Sequence, residues 1–411
     1  MNEIIQKKAS LSITNKGGVS IRLFCIPLLF IYIISLFTFV NNPDLVIISR
    51  ALFLLFVTFS TIQIMKQRKF YFDKIMLSII LFLLFCVISY FWAIDPSDVL
   101  RKVVLLTQMT ILSFLISQIL LSIKQINLIL MGIAISGIIL FIYGVGIYGF
   151  EHIYQSILTG ERLGQEISQE NIMGRLASIS IIVLFVYGIE KKNLLYFGLM
   201  LMPFMMVLAS GSRSAVIILV LGMAITIFAK VGLRKSYKLL LLIPVISVAL
   251  YYLLQLSIFN PISLRFLDLS SSLSGSGGDA NMRINMIKWG LEWFFDRPIW
   301  GYGIGNYGDL LMRKISWETY SHNNFIELLV GVGVIGFILY YTVYIYIFYS
   351  LFRLIKKRDP HAIILFAVFF TWFAAETAAV NYTSRMTYVL IGICIAFIRL
   401  KKYSSTNLTS S

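Results

Sequence analysis

The chain has 411 residues, and its 35 Lys and Arg against 19 Asp and Glu give a formal charge of +16. Hydrophobic residues make up 59% and charged residues 13% of the sequence. A soluble domain averages roughly 45–50% apolar and about 25% charged residues, so the composition excludes a single water-facing domain. About twelve segments of roughly 20 residues each would account for the apolar fraction, which predicts a protein with many membrane spans.

Uninterrupted apolar stretches recur along the whole chain. The first six lie near residues 22–40, 44–65, 75–94, 99–122, 126–149 and 172–189, and six more lie near 194–209, 214–230, 239–257, 323–350, 361–380 and 386–400. These runs lack the alternation of barrel strands, and lipid permits only helices or closed barrels. The sequence therefore predicts an all-α, polytopic integral membrane protein with about 12 transmembrane helices.

The connectors between these stretches differ in charge. Alternate connectors form two sets, which hold 22 and 13 of the 35 Lys and Arg residues. By the positive-inside rule the richer set is cytoplasmic, so both termini are expected in the cytoplasm. The chain then divides into a cytoplasmic tail at 1–21, nine helices at 22–258 with an outer loop at 150–171, one large periplasmic loop at 259–322, three helices at 323–400 and a cytoplasmic tail at 401–411.

Most of the cations predicted to lie outside are arginines, although the positive-inside rule disfavours cations there. A guanidinium binds phosphate oxygens in a bidentate manner, so this pattern suggests an anionic ligand. Arg213 is the clearest case, because it lies between two apolar stretches with no acidic neighbour in sequence. A helix beginning at Ser212 or Ser214 would add its N-terminal amides to the site. Pairing with outer carboxylates, or contact with lipid headgroups, is the alternative for any single arginine.

Only three histidines occur, and His322 is the informative one. It precedes an apolar stretch, where Ser321 is predicted to cap the helix and Asn323 and Glu327 share one face. A carboxylate one turn into a bilayer is costly unless it has a partner or a function. His322 and Glu327 are therefore candidate catalytic residues, and a plain surface histidine is the alternative. Glu376 is a second intramembrane carboxylate, for which pairing with an arginine is the simpler explanation.

Gly303, Gly305 and Gly308 match the dinucleotide-binding pattern G-x-G-x-x-G. No strand is predicted before them and no βαβ unit after them, which argues against a nucleotide site. The glycines could let backbone amides approach a phosphate or a sugar, or they could simply reverse the chain. The three cysteines lie in apolar runs without metal-ligand spacing, so no metal is expected.

Three blocks of sequence now combine into one pattern. They are Ser210-Gly-Ser-Arg-Ser-Ala, Arg297-Pro-Ile-Trp-Gly-Tyr-Gly-Ile-Gly-Asn-Tyr and Ser321-His-Asn-Asn-Phe-Ile-Glu-Leu-Leu. In order, spacing and predicted sidedness, the chain resembles the O-antigen ligase and polymerase superfamily, the integral-membrane glycosyltransferases of the Wzy and WaaL type. A weaker block, Arg162-Leu-Gly and then Gln169-Glu-Asn-Ile-Met-Gly, resembles the family's preceding loop, although Glu170 replaces a proline often found there.

The resemblance implies an enzyme that transfers a glycan from undecaprenyl pyrophosphate to a sugar hydroxyl, without a cofactor, at the periplasmic face of the bacterial inner membrane. Arg213 and Arg283 match the family's arginine positions and would hold the donor pyrophosphate, and we expect Arg162 and Arg175 to contribute to the same site. His322 matches the family's histidine and would orient or deprotonate the acceptor hydroxyl.

Four further residues are expected to contact the glycan or shape its loops: Asn323, Gly303, Gly305 and Asn171. We favour an inverting polymerase, whose acceptor is a lipid-linked repeat unit, and keep as the alternative a ligase, whose acceptor is lipid A-core. A chain-length regulator and a flippase fit as partners, whereas nucleic acid does not. A lipid-linked oligosaccharide flippase is the remote alternative, because its cations should line a path through the membrane and the predicted spans are nearly free of charge.

Overall fold

The computed structural model describes residues 18–39, 42, 44–68, 70–164, 166–231 and 279–409. These residues form helices joined by turns, with no strand among them, so the predicted all-α class is confirmed. Seven of the described helices are long and apolar enough to cross a membrane, and three shorter apolar helices accompany them. The predicted span at 239–257 and the first part of the large loop lie outside the described residues, so the total of 12 spans and the orientation stay predictions.

The described helices follow one another in the order of the predicted stretches, and the last one continues beyond its predicted end at residue 400. They are α1 (Gly18–Thr38), α2 (Val46–Gln67), α3 (Lys74–Ile88), α4 (Pro96–Ile119), α5 (Ile123–Tyr148), α6 (Phe150–Thr159), α7 (Glu170–Lys191), α8 (Leu194–Leu199), α9 (Leu201–Ala209), α10 (Arg213–Val231), α11 (Asp279–Asp296), α12 (Tyr307–Ile315), α13 (Asn324–Lys356), α14 (Pro360–Ala375) and α15 (Arg385–Thr409).

Side-chain caps fix where several helices begin. Asp73, Asp95 and Asp359 each accept a hydrogen bond from the backbone N–H two residues later, and Ser122 and Gln125 form a reciprocal capping box at the start of α5. Each cap satisfies an N–H group that has no partner inside the helix, which stabilises a helix by about 1 kcal/mol.

Of the described spans, helix α7 is the most buried, with 83% of its apolar stretch inside the protein. It packs against α5, α9, α10 and α14. Small residues allow this close approach: Ser180 Oγ donates to Ala134 O at 2.6 Å, and a side chain at Gly174 would clash with Ser210. The first turns of α7 carry two of the predicted site residues, Asn171 and Arg175. These turns are therefore held firmly against the start of α10.

Helix α13 is interrupted at Gly333, which has a φ of +59°. The glycine-rich turn, residues 297–306, docks against this break, where Gly303 N–H donates to Gly331 O at 2.9 Å. Gly305 packs against the side chain of Lys102 on α4. These contacts favour a packing role for Gly303 and Gly305, since the glycines let the turn approach two helices closely.

Candidate functional site

A cavity of about 360 Å³ lies where the N-terminal ends of α7, α13 and α15 approach the start of α4. Four of the ten predicted site residues line it, namely Asn171, Arg175, His322 and Glu327. The other polar side chains in its wall are Lys102, Gln169, Tyr320, Asn381, Thr383, Ser384 and Arg385. The structure thus brings together residues that are separated by more than 200 positions in the sequence.

The turn before α13 presents His322 to the cavity. His322 adopts a left-handed conformation with a φ of +55°, which reverses the chain just before the helix. Its ring centre lies 4.2 Å from that of Tyr320, and the Tyr320 hydroxyl is 3.2 Å from Gln169 Nε2, which donates to it. Tyr320 therefore links the turn that carries His322 to the residue before α7.

The N-cap of α13 is Asn323, and the prediction that Ser321 caps this helix was wrong. Asn323 Oδ1 accepts two backbone N–H groups of the first turn, and its Nδ2 donates to Thr377 O at 3.2 Å. Ser321 instead closes the turn, because its Oγ donates to Asn323 O at 2.7 Å. The left-handed His322 delays the start of the helix by two residues, so Asn323 acts as a cap outside the cavity wall.

Glu327 is a buried carboxylate in the cavity wall, with an exposed fraction of 4%. Its Oε2 accepts a hydrogen bond from Ser321 N at 2.9 Å, which ties the first turn of α13 to the turn that carries His322. Lys102, which also lines the cavity, is close enough to act on Glu327 electrostatically. The carboxylate thus has both a hydrogen-bond donor and a cation near it, as a charge at this depth requires.

Arg175 is the most deeply buried of the predicted donor arginines, with an exposed fraction of 6%. Within the described residues, its Nε and Nη1 atoms have no hydrogen-bond partner. Arg283 of α11 and Tyr320 both lie within electrostatic range of its guanidinium. Two neighbouring guanidinium groups repel each other unless an anion lies between them, and buried N–H groups are almost always bonded. This arrangement is suited to a ligand that carries several anionic oxygens.

Arg162 joins the outer loop to two elements of the site. Its Nη2 donates to Asn171 Oδ1 at 3.0 Å, its Nε donates to Ser210 O at 3.3 Å, and Glu170 is its ion-pair partner at 3.9 Å. Arg213 begins α10, between the two helix starts that the sequence suggested, and lies half-buried in the turn that Arg162 holds. The structure therefore places these two arginines beside the cavity, outside its wall.

Sequence reasoning did not select the other seven polar residues of the wall, which include Lys102, Asn381 and Arg385. The two cations belong to the set predicted to lie outside, so the charge pattern contained them without distinguishing them from the other outer cations. Asn381 gave no signal, because only its place in the folded loop brings it to the cavity. Within the described part of the chain, no group of three His, Cys, Asp or Glu residues is placed to hold a metal.

A family model described as O-antigen ligase matches residues 196–341 of the chain. The matched segment contains the turn before α10, Arg283 on α11, the glycine-rich turn and the His322 to Glu327 segment. No curated protein matches the chain.

Proposed function

Since the match confirms the resemblance to the O-antigen ligase and polymerase superfamily, we propose that the chain is a polymerase of O-antigen or a related surface polysaccharide. It joins repeat units carried on undecaprenyl pyrophosphate in the bacterial inner membrane, and the cavity opens to the periplasm. The observation that carries the proposal is the meeting of Arg175 and His322 in one cavity of about 360 Å³. Ligand pockets commonly measure about 300–1,000 Å³, so this cavity has room for a pyrophosphate and an adjoining sugar.

The arginines form the donor half of the proposed site. Arg175 and Arg283 bind the pyrophosphate oxygens, and the unsatisfied N–H groups of Arg175 find their partners there. Arg162 holds the adjoining loop, and both Arg162 and Arg213 add positive charge at the edge of the cavity. When the anomeric carbon is attacked, its bond to the pyrophosphate oxygen breaks and negative charge grows on the leaving group. Guanidinium groups already in place stabilise that charge.

His322 forms the acceptor half of the proposed site. Its neutral imidazole accepts the proton of the acceptor hydroxyl while the hydroxyl oxygen forms the new glycosidic bond. Undecaprenyl pyrophosphate leaves from the opposite side of the anomeric carbon, so the configuration is inverted. Glu327 fixes the turn that carries His322 through its hydrogen bond from Ser321 N, and Asn171 lines the same space.

A ligase is the second candidate, and it is favoured because the matching family is described as O-antigen ligase. In that reaction the same donor chemistry delivers the glycan to lipid A-core. We rank the polymerase first because the blocks that contain Gly303 to Tyr307 and His322 to Glu327 look more like the polymerase members of the superfamily.

A strain that lacks this gene separates the candidates. Its lipopolysaccharide and lipid-linked glycans are compared by gel after complementation with the wild type, His322→Ala or His152→Ala. His152 is exposed on α6 outside the cavity wall and serves as the matched control. Core carrying one repeat unit in the deletion and His322→Ala strains supports the polymerase. Bare core with long chains still on undecaprenyl pyrophosphate supports the ligase, and an unchanged ladder contradicts both.

A further inference from the structure

One wall of the cavity presents hydrogen-bond donors from two separate parts of the chain. Lys102 of α4 contributes an ammonium group, and the loop before α15 contributes Asn381, Thr383, Ser384 and Arg385. Lys and Arg side chains can only donate, while the amide and hydroxyl groups can donate as well as accept. The wall is therefore suited to an acceptor-rich, negatively charged group.

Asn381 in this wall carries a hydrogen-bond donor that no described residue satisfies. The residue has an exposed fraction of only 4%, and its side-chain Nδ2 is buried with no partner among the described residues. Leaving a buried donor unsatisfied costs about 1–3 kcal/mol, so native proteins rarely do so. An oxygen atom bound in the cavity would provide the absent partner.

The loop is held rigidly, so its donors keep fixed positions. Asn324 Oδ1 accepts hydrogen bonds from the backbone N–H groups of Asn381 and Tyr382, both at 2.8 Å. Asn324 Nδ2 in turn donates to Glu376 Oε2 at 3.1 Å, and Thr387 Oγ1 donates to Asn381 O at 3.0 Å. Binding groups supported by such a second set of contacts are preorganised for their ligand.

The charges on this wall are distinct from those of the donor arginines. Arg175 lies within range of Arg283 and Tyr320, whereas Lys102 interacts with Glu327 and lies 5.9 Å above the ring of Tyr382. Glu327 is the one carboxylate among the described residues that line the cavity. Arg385, at the N-terminal end of α15, forms no ion pair with any described Asp or Glu. Among the described residues, no carboxylate pairs with this positive charge on the wall.

We propose that Lys102, Asn381 and Arg385 form a second anion subsite, which holds an acidic group of the acceptor while the arginines around Arg175 hold the donor. The ligand is an oxyanion, either the carboxylate of an acidic sugar or the phosphate that joins the acceptor to its lipid. This inference rests on the proposed glycan transfer and adds a requirement on the second substrate.

The test uses the purified full chain in lipid nanodiscs. Preformed lipid-linked polymer is the donor at a fixed concentration, single lipid-linked repeat units are titrated as the acceptor, and undecaprenyl pyrophosphate is the probe for the donor site. The Lys102→Met/Arg385→Gln variant should raise KM for the acceptor about tenfold or more and change kcat less than about threefold. It should bind undecaprenyl pyrophosphate within about twofold of the wild type, whereas Arg175→Met should lose about tenfold or more.

Two matched variants guard against trivial explanations. Lys288→Met/Arg313→Gln removes two exposed cations of the same predicted side and should leave KM unchanged, which separates the subsite from a general charge effect. Lys102→Arg/Arg385→Lys keeps both charges and should restore KM to within about threefold of the wild-type value. This variant separates loss of the subsite from misfolding. Failure of the charge-conserving variant to restore KM would contradict the subsite.

Other outcomes also overturn the proposal. If Lys102→Met/Arg385→Gln weakens undecaprenyl pyrophosphate as much as Arg175→Met does, the cavity is a single donor site. If KM is unchanged while the wild type elongates normally, the subsite does not exist. If the wild type itself transfers no glycan, the proposed function fails instead, so the two failures are distinguishable.

The source of the oxyanion follows from chemically altered acceptors. Converting the acceptor carboxylates to amides should raise the wild-type KM to that of the variant if a carboxylate is bound. An acceptor whose sugar is attached to an uncharged alkyl chain should raise the wild-type KM to that of the variant if a phosphate is bound. A wild-type KM unmoved by either change would contradict the subsite.

Discussion

Arg175→Met should make the protein more stable and its donor binding weaker at once. Arg175 is 6% exposed, and two of its nitrogen atoms have no partner among the described residues. Replacing a buried, poorly compensated charge by an apolar side chain of similar length is expected to stabilise the ligand-free protein by about 1–4 kcal/mol. The same change removes the proposed charge-assisted hydrogen bonds to the pyrophosphate, each worth about 1.5–3 kcal/mol, so affinity should fall about tenfold to several hundredfold.

The assay is unfolding of the purified full chain with and without undecaprenyl pyrophosphate. At a ligand concentration about 100 times the wild-type Kd, the wild type should gain about 2.7 kcal/mol. A variant with about 100-fold weaker binding should gain only about 0.4 kcal/mol. Arg101→Met is the control, because the Arg101 side chain is 71% exposed and paired with Asp98. A less stable Arg175→Met protein that still gains fully from the ligand would show that Arg175 is structural.

Three further predictions test how the site is supported. Glu376→Gln should lower the free energy of unfolding by about 1–3 kcal/mol, because the buried carboxylate accepts hydrogen bonds from three tyrosine hydroxyls and one amide. A free energy of unfolding equal to that of the wild type would contradict this. Gly333→Ala should lower both the melting temperature and the rate of glycan transfer, since the positive φ of Gly333 and the docked turn leave no room for Cβ. Gly198→Ala is the control and should change neither, because there is open space around Gly198. Burial, together with Asp95 and Glu318, raises the pKa of Asp309 in the folded protein. The contribution of Asp309 to the free energy of unfolding is therefore fully present below its unfolded pKa of about 3.9, and it is lost as pH rises through its folded pKa. Asp309→Asn should therefore melt at a higher temperature than the wild type at pH 7 and at the same temperature at about pH 3.5. A difference in melting temperature that does not depend on pH would contradict this role of Asp309.

The local signals in the sequence predicted the helices and part of the cavity. Apolar length and charge identified the described spans, and the residue types of Arg175, His322 and Glu327 marked them as candidates before their meeting in one cavity was known. The helix cap was misplaced by two residues, since nothing in the sequence marks His322 as left-handed. A non-glycine residue adopts that conformation when its surroundings impose it.

The remaining wall of the cavity could not be predicted because it depends on long-range packing. Asn381 reaches the cavity through hydrogen bonds to Asn324, which lies 57 positions earlier in the chain. Gly303 and Gly305 were ambiguous for the same reason, since the break at Gly333 that receives their turn is visible only in the folded chain. One sequence therefore indicates which residue types carry chemistry, and the fold decides which of them meet.

The rate at which purified His322→Ala elongates lipid-linked repeat units in nanodiscs tests most directly whether glycan transfer takes place in this cavity. Loss of a general base typically costs about 100- to 10,000-fold, so elongation should fall by at least about 100-fold. Undecaprenyl pyrophosphate should still bind within about threefold of the wild type, because the arginines proposed to bind it are intact. The His152→Ala control should elongate normally. Elongation by His322→Ala at the wild-type rate would contradict the account of this cavity as the site of glycan transfer.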